Sequence, residues 1–333
     1  MPAVPPHQLV GALLDGFEQS GHAAILLSST SRHPRKFTVL APDGEQTSVW
    51  VYGWTLTHGG RPTLPYEYRI QLTGVSSPFV LNPDGRTLLM GYEPNLKLFA
   101  GFDLRRHREF TPGSSSVQID IRTVRQALDS GLAFDRKTND EIAIGIRPDF
   151  LVTYVQNAEE LHRYGVQGRV LDLLNRATAL EAIPALELTP LAKPRQRLIQ
   201  TVTRLSRSAS FTRQVLCAYE HRCAVTRAQL RLVDAAHILS VGSPGSVDDV
   251  RNGIALSPTY HRAFDRALIY LDDSYHMQIN ETKVGELRQL ALDSGLSAFR
   301  EPLGKIHLPP DRRQWPSGAF IRKANRLRLI GQG

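Results

Sequence analysis

Residues 230–268 contain two strand-like segments followed by one helical segment, and this order restricts the folds open to the C-terminal part of the chain. The segments LRLVDAAHILSV and VRNGIALSP are rich in branched aliphatic residues, and the stretch between them, GSPGSVDD, is rich in turn-forming residues. The segment PTYHRAFDRAL has helical periodicity, with Pro258 in its first turn. The sequence therefore predicts strand, loop, strand and helix in this order.

Two histidines and one asparagine lie within this pattern. His237 is on the first predicted strand, Asn252 opens the second, and His261 is on the helix. Hydrolysis of a phosphodiester needs an activated water and a cation that stabilises charge on the phosphate and on the leaving oxygen. A histidine on the strand can supply the base, and a histidine on the helix can hold a divalent ion together with carboxylates. The asparagine can hydrogen-bond across the loop and hold the two strands in register.

The residues of this window resemble those of the HNH endonucleases, most closely the branch found in restriction-type nucleases. The resemblance rests on the segments DAAHI, RNGIAL, HRAFD and VLCAYEHRCAVT, and it covers roughly residues 210–275. It implies a ββα-metal core in which His237 is the general base, Asn252 the structural asparagine and His261 a metal ligand. It also implies a divalent metal cofactor, with Mg²⁺ favoured and Mn²⁺ or another divalent ion as the alternative.

Asp265 is a candidate second metal ligand on the predicted helix. It lies one helical turn after His261, so the two side chains share a helix face. An equally strong alternative is that Asp265 orients His261 or accepts a hydrogen bond from Arg262 or Arg266.

Asp234 is the other candidate metal ligand, on the first predicted strand. Many HNH endonucleases carry an acidic ligand directly before the base, but here that position is Ala236, and Asp234 is the nearest acid. Three residues before His237 on a regular strand, Asp234 faces the opposite side. We therefore expect Asp234 to reach the metal only where the strand bends.

The two cysteines, Cys217 and Cys223, are too few for a disulfide framework and suit a reducing cytoplasm. Their spacing of C-x5-C, without a second pair, excludes a zinc site of four cysteines. The favoured interpretation is that both thiols are buried and pack the helix against the strand. The alternative is a mixed thiolate and imidazole site that includes His221.

The net charge of +8 belongs to the C-terminal half of the chain. Residues 1–150 sum to zero and residues 151–190 to −2, whereas residues 191–230 carry +7 and the remainder +3. A localised positive field is what a DNA-binding surface needs, because each neutralised phosphate releases counterions, although a solvated surface would have the same composition. Arg251 and Arg262, close to the candidate site in sequence, are expected to clamp phosphate oxygens.

The N-terminal part predicts a β-rich α+β domain. Residues 22–120 form short segments rich in β-branched and aromatic residues, with PDG turn signals at 42–44 and 83–85, and helical segments follow. The prolines at 184, 190 and 194 indicate a linker. The predicted organisation is a DNA-recognition domain at 1–180, a linker at 181–196 and an HNH nuclease domain at 197–333.

Two features of the N-terminal domain are candidates for reading DNA. Trp50, Tyr52 and Trp54 alternate on one predicted strand, and Tyr66 and Tyr68 alternate on a neighbouring predicted strand, so each set lies on one sheet face. These aromatic residues either form a pocket for an extruded, modified base or belong to the core. The segment LRRHREF contains three arginines that either contact phosphate or belong to a solvated loop. These arginines are Arg105, Arg106 and Arg108.

The sequence as a whole predicts a cytoplasmic, metal-dependent DNA endonuclease of HNH type, a restriction or defence enzyme that can depend on base modification. The sequence contains no run of about 18 apolar residues, so it does not predict a membrane span. One HNH core offers one strand-cutting site, so a homodimer is expected for double-strand breaks. The alternatives are a non-catalytic DNA-binding regulator with a degenerate core, and a toxin-type or RNA-directed nuclease.

Overall fold

The computed structural model describes residues 3–41, 44–113 and 115–330, and it divides into two compact units, Met1–Ser206 and Arg207–Gly333. The division falls within one long helix, later in the chain than the predicted linker. The predicted PDG turn at 42–44 includes Pro42 and Asp43, which lie outside the described residues. No helix in the described ranges is both long and apolar enough to cross a membrane.

The first unit begins with a helix, continues with a run of strands and ends with a run of helices. In chain order they are α1 (Pro6–Gln19), β1 (Ala23–Leu26), β2 (Arg35–Leu40), β3 (Gln46–Thr55), β4 (Thr57–His58), β5 (Glu67–Gln71), β6 (Gly85–Glu93), β7 (Leu98–Phe102), α2 (Leu104–His107), β8 (Ser116–Asp120), α3 (Ile121–Ser130), β9 (Leu132–Arg136), β10 (Ile142–Ile146), α4 (Leu151–Gly165), α5 (Gly168–Thr178) and α6 (Ala185–Leu188). Helix α7 (Lys193–Ala218) then runs into the second unit.

The strands of the first unit form a main sheet in the order β1-β2-β3-β6-β7-β10-β9 and a smaller sheet in the order β4-β5-β8. The β3/β6 pair is parallel, whereas the other pairs of the main sheet are antiparallel. Alternation along β7 shows how both faces are covered, because successive side chains point to opposite faces. Leu98 and Ala100 belong to one buried cluster, while Gly101 lies under the ring of Tyr154 on α4.

The α+β class predicted from the sequence is confirmed, but helix α1 and strand β9 are among the elements that the sequence patterns did not predict. Helix α1 buries Leu9, Val10, Leu13 and Phe17 at helical spacing, but its two glycines and the prolines before it obscured the pattern. Strand β9 follows α3 directly after Gly131, so the turn that separates them has only one residue. Both elements are short amphipathic segments whose burial is decided by the sheet they pack on.

The second unit contains the predicted order of strand, strand and helix. Its elements after α7 are β11 (Asp234–His237), β12 (Gly253–Leu256), α8 (Pro258–Asp265), β13 (Ile269–Leu271), β14 (His276–Ile279), α9 (Glu281–Gln289), α10 (Leu296–Arg300), β15 (Gly304–Lys305) and α11 (Gly318–Leu327). Strands β11 and β12 pair antiparallel without a bulge. Asp234 is opposite Leu256 and His237 is opposite Gly253.

Asn252 fixes the loop between β11 and β12. Its side chain is fully buried, its Oδ1 accepts from the Leu239 amide at 2.8 Å, and its Nδ2 donates to the carbonyls of Leu239 at 3.1 Å and Val247 at 3.0 Å. The Asn252 carbonyl also accepts from the Ile238 amide at 2.8 Å. A buried amide that satisfies several backbone groups at once leaves each of them unpaired when it is removed.

Glu141, at the start of β10, ties α2 to the main sheet of the first unit. Its carboxylate lies 2.7 Å from Nε2 of His107 and 3.2 Å from Nζ of Lys137. Burial by itself would raise the pKa of Glu141, but the hydrogen bond with His107 and the charges of Lys137 and His107 lower it from 4.5 to about 2. The ionised form is therefore the one that stabilises the fold.

We expect the stability of the first unit to depend on pH through Glu141. The pKa is lower in the folded state than in the unfolded state, so the stabilisation is complete above pH 4.5 and is lost as pH falls towards 2. Glu141→Gln should lower the free energy of unfolding at pH 7 by about 1–3 kcal/mol. It should also flatten the dependence between pH 5 and 3, as measured by urea unfolding. Parallel curves for the two proteins would contradict this assignment.

Asn252→Ala should lower the free energy of unfolding by about 2–4 kcal/mol, because it leaves several buried backbone groups unpaired. Asn325→Ala is the matched control, since its side-chain amide donates one hydrogen bond, to the Leu271 carbonyl at 2.8 Å, and its loss should cost about 1 kcal/mol. Chemical unfolding followed by circular dichroism measures both variants. Equal losses for the two variants would show that Asn252 has no special part in the loop.

Candidate active site

His261 lies between two carboxylates in the first turns of α8. Its Nδ1 is 3.2 Å from Oδ2 of Asp234, and its Nε2 is 3.4 Å from Oδ2 of Asp265. We call these three residues the His261 cluster. The ladder explains the first contact, because Asp234 is opposite Leu256, two residues before α8 begins. Asp234 therefore reaches His261 from a regular strand without a bend, and its contact with a metal ion stays a prediction.

The electrostatics of the His261 cluster favour a cation. The hydrogen bond with Asp234 raises the pKa of the His261 imidazole, burial opposes it, and the charge of Asp265 adds to the increase. Both carboxylates are about half exposed, whereas the imidazole is only a quarter exposed. Either a proton on His261 or a bound metal ion can balance the negative charges of Asp234 and Asp265.

His237 has different partners. Its Nε2 lies 3.0 Å from Oδ1 of Asp248, and its ring stacks on Phe211 of α7 at 3.7 Å between centroids and 12° between planes. We call His237 and Asp248 the His237 pair. The cross-strand neighbour Gly253 makes room for this packing, since a Cβ there would lie 2.2 Å from Cγ2 of Val215 on α7. The imidazole is thus held by a ring on one side and a carboxylate at one nitrogen.

Asp248 is a functional candidate that the sequence patterns missed. It lies eleven residues after His237 in the Gly- and Ser-rich loop, where only the closure of that loop brings it to the imidazole. The signal that was available is the acidic pair Asp248 and Asp249 at the end of the loop. Asp249 has another task, because it caps the short 3₁₀ turn Val250–Asn252 and pairs with Arg251.

The structure brings together Asp234, His261 and Asp265 in one set and His237 and Asp248 in another. On a regular ladder, Asp234 and His237 leave β11 on opposite faces, as their different partners indicate. Ala236 is fully buried in the core of the second unit, so the strand position before His237 packs against apolar side chains. The convergence of His237 and His261 on one ion stays a prediction.

The donors of the His261 cluster suit a divalent ion in chemical type. One imidazole and two carboxylates are ligands that Mg²⁺ and Mn²⁺ accept, and the exposed carboxylates leave positions for water. Their arrangement is not convergent, since the carboxylates contact opposite nitrogens of the ring. Within residues 3–41, 44–113 and 115–330, no group of three or more His, Cys, Asp or Glu side chains is arranged to hold a metal ion.

Arg328 is a second residue that the sequence patterns missed. Its guanidinium lies over the ring of Phe264 at 4.2 Å, and its two terminal nitrogens are buried without a hydrogen-bond partner in the described part of the chain. Burial lowers the pKa of Arg328, and the negative charge of Asp265 opposes that effect. Phe264 on α8 thus has a positive charge packed against its ring.

The two predicted phosphate-binding arginines of the second unit differ in whether their guanidinium groups are already paired with a carboxylate. Arg251 makes a two-pronged ion pair with Asp249, with Nη2 2.7 Å from Oδ2 and Nε 3.1 Å from Oδ1. Arg262 is exposed on α8 and has no ion-pair partner among the residues that the structure describes. The alternative in which Asp265 accepts from Arg262 or Arg266 has no contact in its favour, because the contact of Asp265 is with His261.

The cysteines correct one part of the sequence interpretation. Cys223 is buried in the core of the second unit, as expected, but Cys217 is exposed on α7. Its Sγ lies 4.0 Å from Nε2 of His221. The interpretation that both thiols are buried is therefore wrong for Cys217, because α7 turns that residue to solvent.

The aromatic residues of the first unit are packed against their neighbours. Tyr52 is buried against Phe79 at 4.4 Å, and Trp54 stacks with His33 at 4.3 Å. Trp50 lies under the ammonium of Lys36 at 4.1 Å. The neighbouring strand assumed for the two tyrosines is wrong, because Tyr68 on β5 and Tyr66 just before it belong with the smaller sheet rather than with β3.

The three arginines of the LRRHREF segment have unequal partners. Arg105 lies 3.1 Å from Oε1 of Glu159, and Arg106 donates to the carbonyls of Asn139 at 2.9 Å and Asp140 at 3.3 Å. The side chain of Arg108 is exposed and has no such partner among the described residues. Two of the three guanidinium groups are therefore committed to the fold.

Comparison with known proteins agrees with the arrangement of the second unit. The sequence profile of the family described as HNH endonuclease matches residues 223–272, and that of the family described as Methylase-associated X1 matches residues 47–155. No curated protein matches the chain significantly.

The chain is also similar to one solved structure, of a "Modification dependent TagI restriction endonuclease", with 13% sequence identity and a TM-score of 0.31. The alignment covers 85% of this chain and 81% of the other, and a superposition as loose as this carries no argument. The profile match at residues 223–272 encloses β11, β12 and α8, and His237, Asn252 and His261 lie within it. The chain therefore contains an HNH endonuclease domain at residues 223–272, preceded by a Methylase-associated X1 domain at residues 47–155.

Proposed function

We propose that this protein is a metal-dependent DNA endonuclease in which His237 is the general base and the His261 cluster holds the ion. The observation that carries the proposal is the pairing of His237 with Asp248 inside a region that matches the HNH endonucleases. A histidine fixed by a carboxylate at one nitrogen presents its other nitrogen in a defined direction. That is the arrangement a general base needs.

The proposed reaction begins at the free nitrogen of His237. In the tautomer that donates Nε2–H to Asp248, Nδ1 is unprotonated and takes a proton from the water that attacks phosphorus. The imidazolium that forms is stabilised by the Asp248 carboxylate, and the stacked ring of Phe211 keeps it from rotating. Asp248 is thus a positioning residue for the base.

The leaving group is the 3′ oxygen of the cleaved strand. His261, Asp234 and Asp265 would hold the divalent ion, and the bound ion would supply Lewis-acid stabilisation of the negative charge on that oxygen. HNH endonucleases in general depend on such an ion, and Mg²⁺ is the favoured identity, with Mn²⁺ as the alternative. Arg262 is the arginine best placed to clamp a phosphate oxygen, because Arg251 is already paired with Asp249.

A restriction or defence role follows from the combination of domains. A nuclease core cleaves any duplex that it can hold, so selection of the target has to come from another part of the chain. The domain that matches Methylase-associated X1 is the candidate for that task, and cleavage that depends on DNA modification is part of the proposal. The proposal also includes a cytoplasmic location, which suits free cysteines, and a homodimer for cleavage of both strands.

A non-catalytic DNA-binding regulator is the second candidate. Two observations favour it: the buried Ala236 at the position of a family metal ligand, and the non-convergent carboxylates of the His261 cluster. A regulator would bind DNA without cutting it. A toxin-type or RNA-directed nuclease has no observation of its own in its favour.

The proposed base is tested by plasmid nicking in Mg²⁺ or Mn²⁺, with modified and unmodified DNA as substrates. His237→Ala should lower the rate by about 10²- to 10⁴-fold, the range expected for a general base. Asp248→Asn should give an intermediate loss. His307→Ala is the matched control, because its imidazole is exposed in the same unit, and it should cut normally. DNA binding without cutting by the unaltered chain would establish the regulator instead.

The proposed metal ligands are tested by titrating Mn²⁺ into the full chain and detecting bound ion by electron paramagnetic resonance. His261→Ala, Asp234→Asn and Asp265→Asn should each weaken binding by about tenfold or more, because each removes a donor or a negative charge. Asp293→Asn, which alters an ion pair with Arg288 in the same unit, should leave it unchanged. Unaltered Mn²⁺ affinity in the three variants of the His261 cluster would place the ion elsewhere.

A further inference from the structure

A cavity of about 390 Å³ lies in the first unit, and its lining includes none of the residues assigned above to catalysis or metal binding. It is lined by residues 81–88, by the end of β7 with the start of α2, and by α4. Pockets that hold small organic ligands measure roughly 300–1,000 Å³. The cavity is therefore large enough for a ligand the size of a nucleotide.

The buried part of the cavity lining includes aromatic and apolar side chains. Leu88, Phe102 and Tyr154 line the cavity, and all three are buried. Tyr154 lies close against β7 because Gly101 has no side chain, since a Cβ there would be 2.2 Å from Cζ of Tyr154. Flat aromatic surfaces and aliphatic walls suit a planar ring.

A buried polar pair in the lining determines which hydrogen bonds the interior can make. Nδ1 of His162 donates to the Ile142 carbonyl at 2.7 Å, and the Tyr154 hydroxyl donates to Nε2 of His162 at 2.9 Å. Burial lowers the pKa of His162 to about 4, so the imidazole is neutral at pH 7 and this tautomer is consistent. The Tyr154 oxygen, with its proton directed at His162, is left as an acceptor.

Two exposed arginines also line the cavity. The exposed guanidinium groups of Arg86 and Arg108 make no ion pair or hydrogen bond within the described ranges. Arg105, which also lines the cavity, is shared between Asp103 at 3.4 Å and Glu159 at 3.1 Å. Uncommitted guanidinium groups bind phosphate oxygens through paired, charge-assisted hydrogen bonds.

Both arginines are attached to backbone that the fold holds in place. Nδ2 of Asn82 donates to the Ser48 carbonyl at 3.1 Å and to the Arg86 carbonyl at 3.4 Å. The Arg108 carbonyl accepts from the Phe79 amide at 2.9 Å. Fixed attachment points reduce the entropy lost when a ligand binds.

From this combination we propose that the cavity binds a nucleotide, with the base in the aromatic interior and the phosphate on Arg86 and Arg108. The inference rests on the proposed function, because a nuclease has a polynucleotide as its substrate. The same chemistry is offered by a free mononucleotide and by a nucleotide extruded from a DNA strand. The first unit would then select its target by accommodating one nucleotide.

The cavity is tested first by calorimetric titration of the full chain with the four deoxynucleoside monophosphates. At least one should bind ten times more tightly than inorganic phosphate or its own nucleoside. Arg86→Gln and Arg108→Gln should each weaken that binding by about tenfold, the loss expected for a charge-assisted hydrogen bond. Arg125→Gln makes the same charge change at an exposed site outside the cavity, and it should weaken binding less than twofold.

Ala158→Phe provides a variant that does not alter charge. Ala158 is half-buried on α4 and lines the cavity, so a phenyl ring there occupies the space proposed for the base. Nucleotide binding should fall at least tenfold while the circular dichroism spectrum stays that of the folded chain. Undiminished binding in this variant and in both cavity arginine variants would overturn the proposal.

A duplex with 2-aminopurine at a bulged position separates the two sources of nucleotide. The fluorescence of 2-aminopurine should rise when the protein binds the duplex. If this rise is lost in Arg86→Gln and Ala158→Phe, the cavity accepts an extruded base. Binding of free nucleotides without that rise assigns it to mononucleotides. Absence of both overturns the proposal.

Plasmid nicking by the same preparation keeps this result separate from the proposed function. Cutting without nucleotide binding would overturn the cavity proposal alone. Nucleotide binding without cutting would leave the cavity proposal in place and overturn the nuclease assignment.

Discussion

The hydrogen bonds of the buried Asn252 side chain hold the loop between β11 and β12, and the second unit's candidate chemistry depends on that loop. They join the segment after His237 to the segment that carries Asp248, so they help to hold Asp248 beside His237. Asn252 also directly precedes β12, the strand on which Leu256 pairs with Asp234. A single buried amide therefore supports the loop that brings the His237 pair together, although it does not belong to that pair.

The packing of β11 explains why those two groups have separate partners. Ala236 is buried with the apolar core, and alternation then places His237 towards Phe211 of α7. An acid at position 236 would have to lose its hydration in that core, at a cost of several kcal/mol. The carboxylate instead comes from Asp234, at the exposed start of the strand, where water remains available. The packing of the core thus determines which position of β11 carries the carboxylate that contacts His261.

The sequence predicted the parts of this arrangement that are local and missed those that depend on loop closure or distant contacts. The strands and helix α8 were predictable because composition and helical patterns act over a few residues, and Asn252 was predicted from its place in the segments that resemble the HNH endonucleases. Asp265 was also predictable as a neighbour of His261, from helix geometry alone. Asp248 could not be assigned, because the path of the loop decides its contact with His237. Arg328 lies far from Phe264 in the chain, and no local pattern connects them.

The two units differ in net charge and in how their arginines are used. The second unit carries the basic excess, which acts on any polyanion through long-range attraction and counterion release and carries no information about sequence. Residues 1–150 are neutral, and most of their arginines, such as Arg105 and Arg106, are committed to fold contacts. Two arginines beside an aromatic cavity, unpaired with any carboxylate that the structure describes, add little to the long-range attraction of DNA. They can, however, favour one bound ligand over another through direct contacts. A neutral domain with two such arginines is therefore better suited to selecting a ligand than to gathering DNA.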